Sequence, residues 1–147
     1  MTMTETVRAL LSAIEAQRWD EARGYLADDF TFSGATPQPV GADAWLAVHK
    51  AFAAAMPDFS FNASDIREEQ GGVRLRVRPS GTQTRELALP IPGIPAIAPT
   101  GKRVQLMAED CTCAFRGDKL VSYHVHETPG GGVKGILAQL GVAIPTA

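Results

Sequence analysis

Apolar residues recur with a helical period at the start of the chain and with a period of two over most of its second half. Val7, Leu10, Leu11 and Ile14 are spaced three and four apart, which predicts an amphipathic helix over roughly residues 4–17. Trp19-Asp20-Glu21 starts a second short helix reaching about Leu26, and Asp28 to Phe32 alternates as a strand does. Pro37 and Pro39 mark a loop. A third helix is expected from about Asp43 to Met56, stopped by Pro57, with Trp45, Val48, Phe52 and Met56 on one stripe and His49 beside Trp45. Past Pro57 the period becomes two. Phe59 and Phe61 alternate, and after the Gly71-Gly72 turn Val73, Leu75 and Val77 alternate with Arg74, Arg76 and Arg78. Further strands are expected over about 84–89, 104–115 and 120–128, and a short helix from Ile136 to Leu140. Helices followed by a run of strands predict an α+β domain, helices packed on one face of an antiparallel sheet.

At 147 residues the chain is one domain, large enough to bury a core without disulfides or metals. Its 45% hydrophobic and 20% charged residues and net charge of -2 are ordinary for a globular protein. That charge offers nothing to nucleic acid or to an anionic membrane surface, and no apolar run approaches the roughly 20 residues that span a bilayer. Residues 1–16 carry Glu5, Arg8 and Glu15 among the apolar positions, unlike a secretory signal, so a cytoplasmic location is expected. Two cysteines, Cys111 and Cys113, do not make a disulfide framework.

An ordered set of landmarks runs along nearly the whole chain: Arg18-Trp19-Asp20, Leu26-Ala27-Asp28-Asp29-Phe30, Met56-Pro57-Asp58-Phe59, Gly81-Thr82-Gln83-Thr84, Pro99-Thr100-Gly101-Lys102, Gly117-Asp118-Lys119-Leu120 and Gln139-Leu140-Gly141. In this order they resemble the SnoaL-like polyketide cyclase group of the nuclear transport factor 2-like superfamily, as a single domain over residues 1–147. The resemblance implies a cone: about three N-terminal helices packed on a strongly bent antiparallel sheet around a pocket, and dimers formed through the outer sheet face. It also implies an acidic residue near the end of the last strand, with an aromatic residue four positions before it. Here those positions hold Thr128 and His124, with Glu127 adjacent.

The Gly117-Asp118 pair suits a two-residue type II′ hairpin turn. If the register runs on unbroken, Cys111 faces His124, Cys113 faces Ser122 and Glu109 faces His126. His124 and His126, two apart on one strand, share a face. This predicts a Glu109–His126 pair with His124 adjacent, set for proton transfer, since a carboxylate fixes an imidazole's tautomer and raises its basicity. The bland alternative is a solvated ion pair. Cys111, Cys113, His124 and His126 also form a set zinc could use. However, strand positions two apart lie about 7 Å from each other, too far for four ligands on one ion, so buried thiols are expected instead. Trp45, His49, Phe32, Phe52 and Cys111 are expected to line the ligand pocket.

The resulting expectation is a small-molecule pocket protein: a cofactor-free acid/base enzyme (cyclase, isomerase or dehydratase) acting on a small apolar or polyketide-like substrate. The alternative is a non-catalytic ligand-binding or dimerisation module. Val121, Tyr123, Val125, Thr112 and Ala114 are expected to form an apolar outer face and hence a homodimer. The apolar, proline-rich stretch 90–99 and the glycines 130–132 are expected to form a lid and its hinge, or a loop packed against a partner.

Overall fold

The computed structural model describes residues 1–142. Helix α1 (Met3–Glu15) opens with a capping box: Thr2 accepts from the Glu5 amide while the Glu5 carboxylate accepts from the Thr2 amide. Its buried stripe is the one read from the spacing, Val7, Leu10, Leu11 and Ile14. Helix α2 (Trp19–Gly24) is followed by β1 (Leu26–Ser33), β2 (Val40–Gly41) and α3 (Ala42–Ala55). Arg23 ties these together by bonding the Leu26 carbonyl and the carboxylates of Asp28 and Asp43. Then come β3 (Ser64–Glu69), β4 (Gly72–Val77), β5 (Ser80–Thr82), β6 (Arg103–Gln105), β7 (Glu109–Arg116), β8 (Lys119–Val125) and α4 (Gly132–Gln139). No described helix is long and apolar enough to cross a membrane.

Six strands form one sheet in the order β2-β1-β8-β7-β4-β3, with β5 and β6 as a separate ribbon. The sheet is mixed rather than wholly antiparallel, because β1 runs parallel to β8 and sets Phe32 beside Tyr123. The chain between them is long enough to return to the same end, which a parallel pair requires. Several elements differ from the pattern-based expectation: the strand expected over 104–115 is broken into β6 and β7, which join different sheets, the short strands β2 and β5 are not among those expected, and α4 starts at Gly132 rather than Ile136. Strand β3 was not anticipated, since Ser64–Glu69 is exposed along most of its length and carries no apolar alternation. Residues 84–89 form one arm of a loop instead of a strand. There Leu87 and Ile97 exchange two backbone bonds of 2.9 Å, and the fully buried Gln83 side chain bonds the carbonyls of Arg85, Ile97 and Ala98 and both donors of Thr100. The proline stretch therefore hangs from a fixed base.

The hairpin of β7 and β8 decides which side chains enter the cone. Its turn is as read: Gly117 has φ +64°, and Arg116 pairs with Lys119 and Phe115 with Leu120. The register then shifts by one residue, so that Ala114 pairs with Ser122, Thr112 with His124 and Cys111 with Val125. Val121 is the extra residue of a β-bulge. A period-two strand that buries Leu120 would point Ser122, His124 and His126 inward. The bulge instead buries Leu120, Tyr123 and Val125 together, each worth roughly 1.5–3 kcal/mol of burial for a large apolar side chain.

Candidate functional site

Helix α3 supplies one wall of a cavity of about 70 Å³ inside the cone, through Trp45, Val48, His49 and Phe52, while Phe32, Tyr123, Val125 and Glu109 come from the sheet. Phe59, Phe61, Leu106 and, from α4, Val133 and Ile136 close it. The aromatic rings are in mutual contact: Trp45 lies 5.4 Å from Phe32 and 5.5 Å from Tyr123, centroid to centroid, and His49 lies 5.0 Å from Trp45 and 5.4 Å from Phe61. Such offset and edge-on contacts make a stiff wall.

Four of the residues lining this apolar space carry polar groups. His49 Nδ1 donates to the Trp45 carbonyl at 2.9 Å. Burial pushes its pKa down to about 4, against the smaller raising effect of that bond, so the ring is neutral at physiological pH. With Nδ1 carrying the proton, Nε2 is a bare acceptor, and no partner bonds it among the described residues. The Trp45 Nε1–H is a buried donor with no partner among the described residues. Burial, with the neighbouring Cys111 and Cys113 thiols adding to it, raises the Tyr123 phenol well above its ordinary range, so its hydroxyl keeps its proton. Glu109 is 3% exposed. One of its oxygens, Oε2, accepts from the Thr128 amide at 2.7 Å and the Thr128 hydroxyl at 3.2 Å, while Oε1 has no partner among the described residues. The backbone of Gly131 lies against this carboxyl so closely that a Cβ there would collide with it. Gly132 at φ +68° and Gly135 are likewise in close backbone contact. Within the run, Gly131 is the residue packed on Glu109, while Gly132 packs on the Ala35 backbone and Gly130 has open space around it.

Of the residues singled out from the sequence, the structure brings Glu109, Trp45, His49, Phe32 and Phe52 to this cavity. It does not bring His124 and His126, which lie exposed on the outer sheet face. His124 Nδ1 is 2.8 Å from the Ser33 hydroxyl and His126 Nε2 is 3.4 Å from Thr112. The expected Glu109–His126 pair is not formed, because the bulge at Val121 turns the histidines outward while Glu109 stays inside. The same geometry parts Cys111 and Cys113, buried inside, from both histidines, so the four cannot converge on one ion. Cys111 packs beneath Tyr123 rather than lining the cavity, and burial pushes its thiol up to about 12. The expected apolar outer face is also absent: Tyr123 and Val125 are in the core, and the outside carries Arg74 and Arg76 bonded to Asp110. Missed by the sequence reading were Tyr123 as a wall and Thr128 as the holder of Glu109. The signal was the Leu120-x-x-Tyr123-x-Val125 spacing, which no unbroken strand can bury.

The family model for the SnoaL-like domain matches residues 7–123. No curated protein matches the chain. Among solved structures, the candidate hydroxylase AclR from Streptomyces galilaeus superposes with a TM-score of 0.70 at 19% identity, over 95% of this chain and 98% of that one. The candidate polyketide cyclase IdmH from Streptomyces antibioticus gives 0.68 at 22% identity over 97% and 100%. An NTF2-like protein of unknown function from Cytophaga hutchinsonii gives 0.60 at 18% identity over 88% and 92%. These likenesses establish the nuclear transport factor 2-like fold, and, with the family model spanning most of its length, the chain belongs to the SnoaL-like domain family.

Proposed function

We propose that this protein is a cofactor-free acid/base enzyme that moves a proton at a carbon beside a carbonyl in a small apolar, polyketide-like substrate, leading to cyclisation, isomerisation or dehydration. The observation that carries the reading is a buried carboxyl, Glu109, with one oxygen held by Thr128 and the other without a partner among the described residues, in a cavity whose remaining walls are mostly apolar. Geometry comes first for a general base, and this carboxyl is fixed in place on a strand. Its carboxylate takes the α-proton, the C–H electron pair becomes the enolate double bond, and the carbonyl oxygen takes the negative charge. Donors that cannot reach water are worth most at such an oxygen, and the Trp45 indole N–H and the protonated Tyr123 hydroxyl are of that kind. The bare Nε2 of His49 accepts a hydroxyl or enol O–H of the substrate. Glu109 then returns its proton to carbon or to a leaving hydroxyl.

Family membership supports a small-molecule pocket, and the fold it shares with candidate polyketide cyclases supports this reaction class. The test is α-hydrogen exchange in deuterated water with 2-tetralone as probe, followed by NMR. The protein should accelerate exchange over buffer, and Glu109→Gln should lower the rate at least roughly 100-fold, the usual range for a lost general base, while the probe still binds. Binding without accelerated exchange in the unaltered protein would leave a ligand-binding module and refute catalysis.

A further inference from the structure

The inner cavity is too small for the ligand that its walls suit. At about 70 Å³ it has about half the volume of a cavity that admits benzene. A second hollow of about 230 Å³ lies next to it, lined by Pro37, Val40, Ala44, Ala47, Pro90 and Ile91, among others. Thr36 and Val48 belong to both linings. On α3 the two hollows divide one helix surface: Ala44, Ala47 and Val48, three and four apart, face the outer one, and Trp45, Val48, His49 and Phe52 face the inner one.

We infer that the two hollows are one binding site, and that the substrate is a molecule with a slim oxygen-bearing end in the inner cavity and a larger apolar body in the outer one. This rests on the inner-cavity reading above and adds the shape of the substrate to it. The partition at Thr36 is fixed on its own side. The Thr36 hydroxyl donates to the Gln38 carbonyl at 2.6 Å, and the Ala35 carbonyl accepts from the Val133 amide of α4. The opposite wall is Pro90, Ile91 and Pro92, the end of a loop whose base is pinned by Gln83 and the Leu87–Ile97 bonds. Ala44 and Ala47 are the small residues that keep the outer hollow open on the helix side.

The experiment uses a homologous series of probes, methanol to 1-decanol, titrated into the full chain by NMR with the His49 ring resonances as reporter. Each methylene buried should tighten binding roughly fourfold. In the unaltered protein this gain should continue past the two or three heavy atoms that the inner cavity holds, through about 1-octanol. In Ala47→Phe, and in Ala44→Phe at the exposed rim should the first fold poorly, the gain should stop at about ethanol while that alcohol still binds as before. A plateau at ethanol in the unaltered protein overturns the joined site and leaves the inner-cavity reading standing. A chain-length gain that survives both substitutions overturns it equally. Failure of every alcohol to bind sinks the inner-cavity reading and this inference with it.

Discussion

Acidification from about pH 7 to about pH 4 is expected to weaken the fold through one residue, His49. Its pKa is lowered from 6.5 to about 4, chiefly by burial among Trp45, Phe52, Phe59 and Phe61. In the unfolded chain the same imidazole binds its proton near 6.5. Between those two values the unfolded state holds a proton that the native state lacks, so stability rises with pH. The contribution is fully present above the unfolded pKa and is lost as pH falls toward the folded one. At 1.36 kcal/mol per unit the gap corresponds to about 3 kcal/mol, a large share of the 5–15 kcal/mol typical of a domain. The assay is urea unfolding at several pH values for the unaltered protein and for His49→Phe, which keeps a ring in the aromatic wall and removes the titration. The variant should lack the part of the pH slope that lies between about pH 4 and 6.5. Equal slopes in the two proteins, or a His49 ring that titrates near 6.5 by NMR, would refute both the neutral His49 and its role as a bare acceptor.

Gly131 sits at an ordinary extended φ of -93°, so Gly131→Ala introduces no backbone strain, only a collision with the Glu109 carboxyl. Exchange activity should fall toward that of Glu109→Gln, with thermal unfolding lowered by about 1–3 kcal/mol for overpacking; full activity would show that Glu109 need not be held where it is. Gln83→Leu strips five hydrogen bonds from a buried hub and should cost about 2–4 kcal/mol in denaturant unfolding, since each orphaned buried group is expensive. Hydrogen exchange should quicken at Leu87 and Ile97 first, and a loss spread evenly over the sheet would argue against a local role. Cys111 and Cys113, both buried and with raised pKa values, should resist a thiol reagent at about pH 8 until the protein is unfolded, as spectrophotometric thiol titration would register.

The parts of this molecule legible in the sequence are those set by local periodicity and by turn chemistry. Helix α1, the α3 stripe and the Gly117 turn follow from residue spacing that packing did not override. Trp45, His49, Phe32 and Phe52 could be placed on the cavity because pocket walls in a cone are core side chains pointing at its axis. Strand β3 could not, because it is an edge strand mostly exposed on both faces and has no apolar alternation to betray it. The loop arm 84–89 read as a strand because Leu87 and Leu89 alternate and are buried, yet Pro90 and Pro92 next to it leave no ladder to join.

The histidine strand shows why a correct turn does not guarantee a correct site. The two-residue turn sets only the pairs beside it, Arg116 with Lys119 and Phe115 with Leu120. Beyond them the register is chosen by whichever face gains more from burial, and a slip of one residue exchanges the faces completely. On β7 no conflict arises: Glu109, Cys111 and Cys113 lie inside in either register. On β8 the straight register buries Ser122, His124 and His126, and the bulged one buries Tyr123 and Val125. Two imidazoles left without inward partners each carry a desolvation cost of order 1–3 kcal/mol, whereas Tyr123 and Val125 gain about as much each from leaving water. Against a combined difference of that size, the cost of one unpaired bulge residue is minor. The same choice that sends the histidines out places a phenol next to Phe32 and Trp45 and leaves Glu109 alone as the inward carboxyl of the hairpin. The proton-transfer role proposed for this site therefore passes from a Glu–His pair to a solitary carboxyl supported by Thr128, and the bulge at Val121 is the feature on which that proposal turns.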